Sequence, residues 1–127
     1  MKNSDNDTSV QDLKDLVAKF TTERDWGKHH SPKNLAMNIA IEAAELMDHF
    51  VWEEQSNPKS KEVSDELADI LFNILNFANN NDIDLSASFK RKYKQLVKKY
   101  PVKVFSKAGG NLDDYMRIKH AYRKGKK

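Results

Sequence analysis

Two pairs of carboxylates carry the strongest chemical signal in this 127-residue chain. Glu42 and Glu45 are three residues apart, and so are Glu66 and Asp69. Residues at that spacing share one face of an α-helix, so each pair would present its two carboxylates together. Four carboxylates gathered in one place repel strongly unless a cation sits between them. Oxygen ligands alone, with no cysteine and no histidine inside either pair, suit Mg²⁺ or Mn²⁺ better than Zn²⁺. The rival centre on helical proteins, a di-iron carboxylate site, needs Glu-x-x-His on two helices. None of His29, His30, His49 or His120 has a glutamate three residues before it, which argues against that rival.

The segments holding the pairs have an unusual polarity. On a helical wheel, apolar residues of the segment from Pro32 to about Trp52 cover roughly 240°. The remaining arc holds Asn34, Asn38, Glu42, Glu45 and His49, with Trp52 at its end. The segment from Pro58 to about Asn80 repeats this, with Glu62, Asp65, Glu66, Asp69, Asn73, Asn76 and Asn80 on its polar line. An ordinary surface helix has the opposite proportion. Each line is either the strip of a central helix that reaches water, or half of a polar site enclosed between two helices. A solubilising strip would mix lysine with glutamate, and these lines contain no lysine or arginine. Their composition favours the enclosed site.

The rest of the chain also reads as helical, and an all-α, four-helix-bundle-like fold is expected. Val10, Leu13, Leu16, Val17 and Phe20 line one face of a helix from about Ser9 to Glu23, with Thr8 and Gln11 as a candidate capping box. Ser31-Pro32 is an N-cap followed by proline at the first helical position. Asn57-Pro58 restarts the chain into the third helix, and residues 79–82 form a turn. A fourth helix is expected from about Ser86 to Lys99, ended by Pro101. Val102 to Phe105 reads as a short extended stretch, Ala108-Gly109-Gly110 as a hinge, and Leu112 to Tyr122 as a short, loosely attached helix. The expected division is therefore a domain over 1–110 and a basic tail over 111–127.

Composition narrows the possibilities further. The chain has no cysteine, which excludes a disulfide scaffold, a zinc finger and a cysteine nucleophile. Met1 to Thr8 has no apolar h-region, and no apolar run approaches the ~20 residues of a membrane span, so a cytoplasmic protein without a membrane partner is expected. The net charge of +3 is unevenly spread. Acid concentrates between Glu42 and Asp69, and base between Lys90 and Lys107 and again from Arg117 to Lys127. The basic tail reads either as a solvated end or as an arm contacting phosphate or nucleic acid. Apolar arcs this wide on two helices of a short chain call for burial by other subunits, so a homodimer or homotetramer (a dimer of dimers) is expected.

Glu42-x-x-Glu45, twenty residues, then Glu66-x-x-Asp69 resembles the signature of the MazG-like nucleoside triphosphate pyrophosphohydrolases. The resemblance extends from about Phe20 to Gly109. Arg24 to Leu35, with Trp26, His30 and Asn34, is similar to the segment that opens the dCTP-pyrophosphatase branch, and Phe50-Val51-Trp52 to that family's Phe-x-Trp. Lys92 and Lys99-Tyr100-Pro101 resemble its basic segment closing on Arg-Tyr-Pro. There are departures. Ile41 stands where many members have a first glutamate, a loss the dCTP branch shares. Asn73 stands where that branch often has tyrosine, and Leu96 where members often have asparagine.

The resemblance implies Mg²⁺, with Mn²⁺ as a substitute, held by Glu42, Glu45, Glu66 and Asp69. It implies catalytic roles for Glu45 and Glu42, with Glu45 accepting a proton from the attacking water. Trp26, His30, Asn34, Trp52 and Asn73 would face the base and sugar, and Lys92, Lys99 and Tyr100 the phosphates. The implied reaction is hydrolysis of a deoxynucleoside triphosphate to the monophosphate and pyrophosphate, preferring dCTP, in cleaning the nucleotide pool. No nucleic-acid partner is expected on this reading. The alternative is a non-catalytic helical module that holds nucleic acid or a protein partner through the basic C-terminal region.

Overall fold

The computed structural model describes residues 3–52, 57–105 and 112–125, with side chains of the last stretch from 113 onward. The helices run over Val10–Glu23 (α1), Pro32–Val51 (α2), Lys61–Asn80 (α3), Leu85–Lys99 (α4), Val102–Phe105 (α5) and Leu112–Gly125 (α6). A 3₁₀ turn at Gly27–His29 precedes α2. There is no strand among the described residues. The fold is all-α, as the helical periodicity requires. The chain divides into two compact units, Met1–Asp84 and Leu85–Lys127. The expected boundary at 110/111 and the hinge at Ala108-Gly109-Gly110 lie outside the described residues.

Local chemistry sets the helix ends. The first capping box is Ser9 with Asp12, one residue later than the Thr8/Gln11 pair: the Ser9 hydroxyl accepts from the Asp12 N–H at 3.0 Å, and the Asp12 carboxylate accepts from the Ser9 N–H at 2.9 Å. A charged acceptor at a helix N-terminus is favoured over a neutral amide. Ser31 caps α2 ahead of Pro32 as expected. Pro58 belongs to a turn rather than to α3, because the Asn57 side chain accepts from the Lys59 N–H at 2.9 Å and Ser60 becomes the cap. Residues 102–105 are one helical turn, not an extended stretch. The fixed φ of Pro101 suits a helix start, and its carbonyl accepts from the N–H groups of Val104 and Phe105.

In the first unit α3 packs against both α2 and α1. Leu35 is fully buried, with Val17, Val63, Leu75 and Ala78 around the same core. Phe20 of α1 meets Phe72 of α3 edge to face at 5.5 Å. Two polar ties close the far end: the Lys14 ammonium donates to the Ile83 carbonyl at 2.8 Å, and the Asn79 amide donates to the Lys14 carbonyl at 2.9 Å.

Both α1 and α3 end in Schellman-type caps with aspartate in the left-handed region, Asp25 at φ 51° and Asp82 at φ 53°. After α1 the Trp26 N–H donates to the Thr21 carbonyl at 3.0 Å and the Asp25 N–H to the Thr22 carbonyl at 3.1 Å. This cap turns Trp26 back onto Phe20, at 5.2 Å between ring centroids.

In the second unit α6 packs against α4. Tyr100 stacks on Tyr115 at 5.1 Å and meets Phe105 edge to face at 5.4 Å.

Candidate active site

The acidic lines of α2 and α3 face each other, and three of the four carboxylates converge. One oxygen each from Glu42, Glu45 and Glu66 lies within 4.8 Å of the other two. Asp69 is not in that group. Its negative charge still reaches Glu42 and adds to what holds that carboxyl above its ordinary range. The largest cause of that rise is burial, followed by a hydrogen bond with Glu45 and then the charges of Glu45, Asp69 and Glu66.

Glu42 Oε2 and Glu66 Oε2 are buried and have no hydrogen-bond partner. A buried anionic oxygen without a partner is costly. The second Glu66 oxygen lies 3.4 Å from His49 Nε2, one turn beyond Glu45 on α2. Among the described residues no lysine or arginine forms an ion pair with any of the four carboxylates. Convergent, unneutralised hard oxygens with two orphaned buried atoms fit a divalent cation. Glu42, Glu45 and Glu66 are the residues that could hold one, with Asp69 at the edge.

The base and sugar residues expected from the sequence are found in varied states. Trp26 is 43% exposed, with one side committed to Phe20. His30 is half-buried, and its Nδ1 lies 3.3 Å from the Asn76 amide nitrogen. Asn34 is exposed, and its amide donates to the His29 carbonyl at 3.2 Å. Trp52 caps the end of α2 and is 90% exposed. Asn73 is turned onto its own helix, donating to the Asp69 carbonyl at 2.9 Å.

Lys92, Lys99 and Tyr100 belong to the second unit. There Lys99 lies over the rings of Tyr100 and Tyr122, at 5.2 and 4.9 Å. Burial and the neighbouring Tyr115 hold the Tyr100 hydroxyl above its ordinary range.

His49, Asn76 and Asn80 contact expected site residues directly or through one another, and none of the three was singled out as a site residue from the sequence. The available signal was register: His49 lies four residues after Glu45, and Asn76 seven after Asp69.

A helical protein whose acidic pairs face one another across two helices, with Glu42 and Glu66 half-buried and Glu45 and Asp69 exposed, has the donor set of the class of divalent-cation sites built on helix pairs. Comparison with known proteins then gives the family. Residues 37–113 match the MazG-like family. The chain is 30% identical over 102 residues to dCTP pyrophosphatase 1 of Rattus norvegicus, covering 74% of this chain and 60% of that protein. It is 28% identical over 101 residues to dCTP pyrophosphatase 1 of Homo sapiens, covering 73% and 59%. It thus spans about 60% of the length of the curated relatives it matches. The crystal structure of a pyrophosphatase from Archaeoglobus fulgidus superposes with a TM-score of 0.68 at 34% identity, covering 79% of this chain and 99% of that one. The chain belongs to the MazG-like family.

Proposed function

We propose that this protein hydrolyses deoxynucleoside triphosphates between the α and β phosphates, dNTP + H₂O → dNMP + pyrophosphate, with dCTP as preferred substrate and nucleotide-pool cleaning in the cytoplasm as its role. The observation that carries the proposal is the convergence of Glu42, Glu45 and Glu66 within 4.8 Å with two buried oxygens left unpartnered. The likeness to dCTP pyrophosphatases supports the choice of base.

Glu42, Glu45, Glu66 and Asp69 are the residues that would hold Mg²⁺, or Mn²⁺ in its place. The chemistry such an ion supplies when bound is charge neutralisation on phosphate oxygens and activation of water. Glu45 is the exposed member of the converging three, so it is the carboxylate placed to accept the proton of the attacking water. Glu42, hydrogen-bonded to Glu45, is the second carboxylate of the catalytic pair. Trp26 and Trp52 offer aromatic faces to the base. His30, Asn34 and Asn73 offer hydrogen bonds to base and sugar. On the family resemblance alone, Lys92, Lys99 and Tyr100 would be the residues that offer charge and hydrogen bonds to the departing pyrophosphate.

The same reading includes a homodimer, or a dimer of such dimers. Met37, Ile41, Met47 and Val51 are each about half exposed. They lie on one arc of α2 about 120° wide, beside the acidic face. Apart from Lys33 and Asp48 the residues of this arc are apolar, and exposed apolar side chains grouped in this way support an interaction surface there. No helix among the described residues is long and apolar enough to cross a membrane.

The test is incubation of the purified protein with each dNTP and Mg²⁺, followed by phosphorus NMR. The expected products are dNMP and pyrophosphate, fastest from dCTP. Release of orthophosphate with dNDP would overturn the pyrophosphohydrolase reading.

A further inference from the structure

Asn76 is 3% exposed, on a helix where an apolar residue would pack at no polar cost. A buried amide is tolerated when its donors and acceptors are met, and the partners of Asn76 define a direction. The Asn80 amide nitrogen lies 2.8 Å from the Asn76 backbone carbonyl. A carbonyl oxygen only accepts, so that end of the Asn80 side chain is its NH₂ group. The same nitrogen lies 3.0 Å from Asn76 Oδ1. A donor there requires an acceptor, which fixes the near end of the Asn76 amide as oxygen. Its far end is therefore NH₂, and it lies 3.3 Å from His30 Nδ1. With a donor facing Nδ1, that nitrogen is the acceptor, and the ring proton sits on Nε2.

His30 is half-buried, and among the described residues its only side-chain hydrogen bond is the one at Nδ1, which leaves Nε2 for a ligand. Asn76 lies seven residues, two helical turns, beyond Asp69 on the same face. At 1.5 Å per residue that is about 10 Å along the axis, close to the span between the phosphates and the base of a nucleotide.

We propose that Asn80 and Asn76 are positioning residues that hold His30 as an Nε2–H donor aimed at an acceptor oxygen of the bound nucleoside, the carbonyl oxygen of its base. The inference rests on the nucleotide-site reading for the identity of the ligand, but not for the state of the histidine. It makes the fixed polarity of one ring, set 46 residues away in the chain, a determinant of which base is accepted.

The experiment is long-range proton–nitrogen correlation NMR of the full-length ¹⁵N-labelled protein at pH 8, without nucleotide. His30 should show a protonated Nε2 and an unprotonated Nδ1. Because free imidazole already favours that form, the decisive arm is Asn76→Asp. A carboxylate can only accept, so Nδ1 should gain a proton. Asn76→Leu, which keeps the volume and suits a buried site, should weaken dCMP binding roughly two- to tenfold, the worth of one hydrogen bond. His30→Gln, which keeps an N–H donor, should bind better than His30→Leu. Dideoxycytidine monophosphate should respond to Asn76→Leu as dCMP does; loss of the effect would assign the acceptor to the sugar hydroxyl and overturn the base assignment. A protonated Nδ1 in the unmodified protein, or unaltered dCMP affinity in Asn76→Leu, overturns the proposal. Should Asn76→Asp fail to fold, these two results still decide it. Failure of dNTP hydrolysis with the expected tautomer present would refute the nucleotide reading alone; hydrolysis with the opposite tautomer would refute this inference alone.

Discussion

Replacing Glu42 by glutamine removes one negative charge from the acidic cluster and nearly keeps the side-chain shape. Oxygens of Glu42, Glu45 and Glu66 lie within 4.8 Å of one another. At that separation two unit charges repel by about 0.9 kcal/mol in water, and by about 3.5 kcal/mol at an effective dielectric of about 20. Glu42 has two such neighbours. Side-chain relaxation and partial proton uptake bring the relief to the lower end, about 1–2 kcal/mol. In a domain of this size 1 kcal/mol moves Tm by about 3–5 °C. Metal-free Glu42→Gln should therefore melt about 3–10 °C above the unmodified protein at pH 8.

The sign with pH follows from the raised Glu42 carboxyl. Below its ordinary value of 4.5, Glu42 is protonated in both folded and unfolded states, and the two proteins should melt alike. As pH rises from there through the higher folded value, the unfolded state loses its proton first, the unmodified protein loses stability, and the gap should open. Mg²⁺ should reverse the order. A ligand at 100 times its Kd adds about 2.7 kcal/mol to the protein that binds it, and the variant, one carboxylate short, should gain less. Scanning calorimetry in EDTA and in Mg²⁺ reads both effects. A Glu42→Gln protein that melts lower in EDTA at pH 8 refutes the repulsion argument, and equal Mg²⁺ shifts in the two proteins refute the cation assignment.

Further outcomes are expected at the surrounding residues. Glu45→Gln, Glu66→Gln and Asp69→Asn should each abolish dNTP turnover while leaving helical circular dichroism intact; retained turnover in all three would remove the acidic site from the chemistry. His49→Ala should weaken Mn²⁺ binding by about tenfold in calorimetry, as loss of a residue that orients a metal ligand does, and unaltered binding would make its contact with Glu66 incidental. Trp26→Ala should raise KM by about 5- to 30-fold with kcat largely kept, because stacking worth about 1–2 kcal/mol acts in ground and transition states alike. It should also lower Tm through the lost Phe20 contact, whereas an unchanged KM would leave Trp26 as a helix cap only. Ile41→Lys should shift the sedimenting species toward monomer, and an unaltered sedimentation coefficient would move the interface elsewhere.

The helices and the acidic site were legible because both rest on period. Apolar residues recurring at 3.6 placed α1 to α4 within a few residues of their observed ends. The i, i+3 carboxylates could be assigned to one face of each helix without coordinates. What the sequence did not reveal depends on contacts between distant residues or on uncommon backbone states. Asp25 and Asp82 occupy cap positions where glycine is the usual signal, so the turn that folds Trp26 onto Phe20 left no glycine to read. Pro58 and Pro101 each admit a turn or a helix start, and hydrogen bonds to Asn57 and from Val104 decide between them. Asn76 looked like one more amide on a polar line. Its pairing with His30 across 46 residues exists only once α3 is packed beside the turn before α2.

The measurement that bears most directly on the proposed reaction is turnover in ¹⁸O-enriched water with Mg²⁺ and dCTP, followed by mass spectrometry of both products. Attack at the α-phosphorus places the label in dCMP and leaves pyrophosphate unlabelled. Label in pyrophosphate, or in orthophosphate, would contradict it.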